Sequence, residues 1–117
     1  MTDKVLRMPM LKKHALEILR GEKIREYRPF SDHWARRLCV FGNPDNPSEA
    51  TDVKHFDRVR FYSIGGKWFL ECSVRGIIWY TVDEEFVREF GHEVEVRPGD
   101  RLFIIRIGEV LETDLAA

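Results

Sequence analysis

A glycine pair set between two alternating segments constrains this chain more than any other feature. In residues 57–63, Val59, Phe61 and Ser63 alternate with Arg58, Arg60 and Tyr62. In residues 67–75, Trp68, Leu70, Cys72 and Val74 alternate with Phe69, Glu71, Ser73 and Arg75. Alternation with period two places successive side chains on opposite faces of a strand, so each segment has one apolar face. Gly65-Gly66 supplies the positive φ that a two-residue hairpin turn needs. With those glycines as the turn, Ile64 pairs with Lys67, Phe61 with Leu70, and Arg60 lies opposite Glu71. The two apolar faces then coincide, and a slip of one residue would turn one of them to water.

Other segments extend the frame. Val5-Leu6-Arg7-Met8, ended by Pro9, predicts a first strand. Leu11, Ala15, Ile18 and Leu19 fall at helical spacing with Lys12, Lys13, Glu17 and Arg20 facing out, so residues 11–20 predict a short amphipathic helix. Gly21 follows where a left-handed cap is expected. Ile24 and Tyr27 suit a strand that Pro29 ends; on it Ile24, Glu26 and Arg28 share one face and Lys23, Arg25 and Tyr27 the other. Residues 42–55 are polar, hold two prolines and predict a long exposed loop. Thr81-Val82-Asp83-Glu84 resembles a capping box opening a second helix, with Phe86, Val87 and Phe90 inward and Gly91 as its stop. Pro98-Gly99-Asp100 predicts a turn, and Leu102–Ile107 is almost continuously apolar, as for a strand buried on both faces. The last residues trail off as a polar tail. The expected class is α+β: one domain over 1–117, with a barrel-like sheet and two short flanking helices.

Composition excludes several classes. A chain of 117 residues, 44% hydrophobic and 33% charged, can bury about 65% of its unfolded surface in one core. No stretch holds 18 consecutive apolar residues, which argues against a membrane-spanning helix. The start, Met1-Thr2-Asp3-Lys4, lacks an apolar leader, and a cytoplasmic location is expected. Cys39 and Cys72 form no disulfide framework and sit among apolar neighbours. His14, His33, His55 and His92 show no metal-ligand spacing, so neither a metal nor a cofactor is expected. The net charge of −1 hides an asymmetry: residues 1–40 carry ten basic and five acidic side chains, residues 41–117 nine and fifteen. A basic face on the first third would hold a few phosphates; a solvated surface explains the same count.

The segment Gly21-Glu22-Lys23-Ile24-Arg25-Glu26-Tyr27-Arg28 reads Gly-x-Lys-x-x-Glu-x-Arg directly after the helix bearing Ile18-Leu19. It resembles the signature of the ASCH domain, a relative of the PUA-like β-barrels, and the resemblance runs on through the hairpin and the apolar final strand. It implies a small PUA-like barrel with a cleft beside the helix and an RNA or nucleotide partner. It implies that Lys23 and Arg28 bind phosphate or carbonyl groups, with Glu26 orienting them or accepting a ligand N–H. From the residues alone, charges on a half-buried strand cost desolvation unless they pair with each other or with a ligand.

Some small members of that family are amidohydrolases that remove acyl groups from modified cytidine, with a catalytic set of a motif Lys, a Thr three positions later and a Glu on the second hairpin strand. Lys23 and Glu71 match the first and third; Glu26 stands in place of the Thr, so the family's nucleophile is absent. A carboxylate there can still serve as general base towards water. Other relatives are ribonucleases, but no two-histidine arrangement for that chemistry is legible. Arg60 opposite Glu71 is most simply a cross-strand ion pair. Tyr27, Tyr62 and Phe69 have the shape to stack a base, although strand aromatics usually serve the core. Trp68 falls on the apolar face, while Ser31 and His33 follow the motif on an expected loop. An acidic stretch from Asp83 to Glu95 raises a third class, a protein-interaction adaptor.

Overall fold

The computed structural model describes residues 4–41 and 50–116. In chain order the elements are β1 (Val5–Pro9), α1 (Lys12–Leu19), β2 (Arg25–Pro29), α2 (Asp32–Leu38), β3 (Cys39–Phe41), β4 (Ala50–Val53), β5 (Arg58–Tyr62), β6 (Phe69–Thr81), α3 (Glu84–Phe90) and β7 (Arg101–Thr113). The hairpin forms in the expected antiparallel register, with Phe61 opposite Leu70 and Arg60 opposite Glu71. Val59, Phe61, Leu70 and Cys72 are each fully buried, whereas the other face carries Arg58, Arg60, Tyr62, Phe69, Glu71 and Ser73. Burying side chains such as Phe61 and Leu70 is worth about 1.5–3 kcal/mol each.

The reversal itself is wider than a Gly-Gly turn. Ser63 accepts at its carbonyl from Gly66 N–H (2.9 Å), and its Oγ accepts from the N–H groups of Lys67 (2.7 Å) and Trp68 (3.2 Å). Ile64 and Gly65 are therefore the central turn residues, and the ladder stops at Tyr62–Phe69. Gly65 (φ +100°) and Gly66 (φ +71°) both adopt backbone angles that favour glycine.

Strand β1 runs parallel to β5, with Leu6 beside Val59 and Met8 beside Phe61. The main sheet is ordered β1-β5-β6-β7-β2, and β3 and β4 form a separate antiparallel pair. The described residues divide into two compact units: 4–26 with 55–76 and 105–116, and 27–41 with 50–54 and 77–104. In the first, Leu6, Met8, Ala15, Ile18, Val59, Phe61, Leu70, Cys72 and Ile105 are buried. In the second, Tyr27, Val82, Phe86, Leu102 and Ile104 form one apolar cluster. Leu102, Phe103, Ile104 and Ile105 are buried in succession, as a strand covered on both faces requires.

The α+β class holds, but the described residues form three short helices where two were expected. Residues expected as a loop form α2, where Ser31 Oγ accepts from Trp34 N–H (3.3 Å) and Ala35 and Leu38 are fully buried. Within the expected loop 42–55, residues 50–53 form β4; residues 42–49 lie outside the described residues. β6 continues past Arg75 to Thr81, and β7 occupies the expected polar tail as far as Thr113. α3 is capped by Asp83, whose Oδ1 accepts from Phe86 N–H (2.8 Å), and not by Thr81. Leu11, expected on the inner helix face, precedes α1 and is 72% exposed.

Candidate functional site

Lys23 is placed by the end of α1. Gly21, at φ +78°, donates its N–H to Ile18 O (3.0 Å), and Glu22 N–H reaches Glu17 O (2.9 Å), a Schellman motif. Lys23 N–H adds a bond to the same Glu17 carbonyl (3.2 Å), fixing the backbone before β2 begins. The Lys23 side chain then turns back to Glu26, with Nζ 3.9 Å from Oε1 and only 11% and 8% of the two side chains exposed. Strict alternation over residues 23–28 would put these residues on opposite faces. That alternation fails because Lys23 precedes the strand and Ile24, 55% exposed, lies outside the core.

A second charged cluster lies on the hairpin of the same unit. Glu71 is 6% exposed and stands between two guanidiniums: Arg58 Nη1 donates to Oε2 at 3.3 Å, and Arg60 Nη1 lies 3.6 Å from Oε1. The expected Arg60–Glu71 pair is present. Arg58 is an addition that the sequence signalled as the diagonal neighbour, two positions from Arg60 on the same face. Arg60 Cζ also sits 3.9 Å from the centroid of Phe69, so a cation covers that ring. Tyr62, 37% exposed, closes the same face of the hairpin. Behind it, burial and the neighbouring Glu71 charge push the Cys72 thiol up to about 12.

Tyr27 and Arg28 belong to the other unit. Tyr27 is 7% exposed, packs edge-on against Phe86 and donates its hydroxyl to Glu93 Oε2 (3.2 Å). Its ring serves a core cluster and offers no open face to a base. Arg28 Nη1 donates to the Tyr27 carbonyl (3.2 Å), and its guanidinium lies 5.4 Å from the centroid of Trp34. Arg37 approaches the same indole at 4.9 Å. Asp83, Glu84, Glu85 and Glu89 are exposed about α3.

No family model, curated protein or solved structure matches this chain. Chemistry within the described residues therefore carries the reading of the site. Among them, no buried side-chain nitrogen or oxygen lacks a hydrogen-bond partner, and no group of three or more His, Cys, Asp or Glu side chains is placed to hold a metal. None of their helices is long and apolar enough to cross a membrane. What remains is a lysine–carboxylate pair largely withdrawn from water after the cap of α1, and a buried carboxylate between two arginines set by the β5–β6 register.

Proposed function

We propose that this chain is a cytoplasmic, ASCH-like domain of PUA-like fold that binds RNA or a nucleotide. Lys23 and Glu26 contact phosphate or base-edge groups, with Arg60 and Tyr62 contributing from the hairpin of the same unit; Arg28, in the second unit, is not part of this site. The observation that carries the reading is the Lys23–Glu26 pair, two charged groups withdrawn from water directly after a glycine cap. Replacing such a pair with apolar side chains is often neutral or stabilising, so stability alone is weak reason to keep it. A lysine donor beside a carboxylate acceptor complements the mixed donors and acceptors of a nucleotide. The hairpin face adds two arginines and aromatic rings, the residue types that hold phosphates and stack bases.

A second reading is hydrolysis of an acylated nucleoside. It draws on the burial of both Glu26 and Glu71, each 6% exposed, with Glu26 as the base towards water and Lys23 beside the developing oxyanion. Glu71 already engages Arg58 and Arg60, which suits it to positioning more than to proton transfer.

Fluorescence anisotropy with a short mixed-sequence single-stranded RNA, at physiological salt, tests the binding reading. Wild type should bind, and Lys23→Ala, checked for folding by circular dichroism, should lose most of that affinity. Affinity should also fall with added salt. Equal binding by both proteins would remove Lys23 from the site. Release of free acid from an acylated nucleoside, abolished by Glu26→Gln, would favour the hydrolytic reading.

A further inference from the structure

A recess of about 190 Å³ in the first unit is lined by Ile24, Arg25, Arg75, Arg106, Ile107 and Gly108. Its three arginines come from β2, β6 and β7, which are neighbours in the sheet order. The backbone beneath is fixed, since Ile107 N–H donates to Ile24 O at 2.9 Å. Arg75 and Arg106 are exposed and Arg25 is half-buried, and none of the six lining residues carries a carboxylate. Arg25 and Glu26 are consecutive in β2, so their side chains leave on opposite faces of the strand. The recess is thus a different place from the Lys23–Glu26 pair.

We propose that this recess is a phosphoryl-binding site. Like charges are unfavourable side by side, and the exposed Arg75 and Arg106 flanking one hollow raise a local positive potential that an anion relieves. Each guanidinium is a planar fork matched to phosphate or carboxylate oxygens. A carboxylate carries one charge, too few to balance two guanidiniums. A phosphate or phosphomonoester dianion carries two charges on three or four oxygens and engages both. The volume lies below the roughly 300–1,000 Å³ of pockets that enclose whole small molecules. It therefore accepts the phosphoryl group and leaves any attached base and sugar outside. The phosphoryl group belongs either to free inorganic phosphate or to a nucleotide terminus.

Isothermal titration calorimetry of the full chain at low salt separates these sources, using inorganic phosphate, adenosine 5′-monophosphate and, as the uncharged control, adenosine. Phosphate and the monophosphate should bind, and adenosine should not. Tighter binding of the monophosphate than of phosphate assigns a nucleotide terminus; equal binding assigns free phosphate. The Arg75→Ser/Arg106→Ser double variant should weaken binding about tenfold or more, since charge-assisted bonds are the stronger class. Both side chains are exposed, so the fold should persist, and the single variants Arg75→Gln and Arg106→Gln should give intermediate losses. Lys23 and Glu26 do not line the recess, so loss of phosphate binding in the Arg75/Arg106 variant places it here and not at the proposed RNA contact. No binding of either anion, or equal binding by wild type and the double variant, would overturn the proposal.

Discussion

Truncating Lys23 tests whether the pair at the end of α1 is held against its own desolvation. At 3.9 Å, two unit charges attract by about 4 kcal/mol at an effective dielectric of about 20. Desolvation of two side chains only 11% and 8% exposed offsets most of that gain, so the intact pair contributes little net stability. Lys23→Ala removes the attraction and leaves the Glu26 carboxylate buried with its other contacts. The expected loss is about 3 kcal/mol, at the low end for a broken buried pair because the separation is long and those contacts remain. Glu26→Gln in the Lys23→Ala background removes the buried charge and should restore part of the loss. Urea unfolding at pH 7, followed by the fluorescence of the three tryptophans, measures this directly. With a slope of about 1–3 kcal/mol per molar, the midpoint should fall by roughly 1–3 M. A shift within experimental error, or no recovery in the double variant, would refute the reasoning.

Other outcomes follow from the same structure. Burial raises both cysteine thiols, Cys72 to about 12, so Ellman's reagent at pH 8 should label neither in the native protein and both in denaturant; one rapidly reacting thiol would contradict the burial. Gly65→Ala and Gly66→Ala should each cost about 1–2 kcal/mol, because alanine resists the positive φ at both positions, and thermal unfolding would show the loss. The Lys4 N–H bond to Asp57, followed by the bond from His55, holds the Asp57 carboxyl below its usual range. A carboxyl depressed on folding stabilises fully above its unfolded pKa, about 3.9, and loses that contribution as pH falls through the lower folded value. Asp57→Asn should flatten the dependence of Tm on pH below about 4; an unchanged acid slope would remove Asp57 from the account.

The hairpin was legible because its two strands alternate cleanly and burial of one face admits a single register. The cap of α1 was legible for a similar reason, since Gly21 stands where a left-handed residue is required. α2 was harder to see. It has only two buried positions, Ala35 and Leu38, and its clearest signal was Ser31 two residues after Pro29. β4 gave almost no sign, because Ala50–Val53 has no buried residue and its pairing with β3 is set by the partner strand. At the site, Arg60–Glu71 followed from the register, whereas Arg58 was missed, although it stands two positions from Arg60 on the same face and so on the diagonal from Glu71. The Lys23–Glu26 contact did not, because Lys23 stands before β2, where strand alternation has no force. Tyr27 was placed beside the motif by its position in sequence, but its ring belongs to the apolar cluster with Phe86.

Mapping a bound single-stranded RNA onto the backbone amides by ¹H–¹⁵N correlation spectra tests the binding account most directly. The largest shifts should fall between Gly21 and Glu26 and on the Arg60 and Glu71 amides, and Lys23→Ala should remove them. Shifts confined to α2 or α3, or spectra that do not respond to RNA, would contradict it.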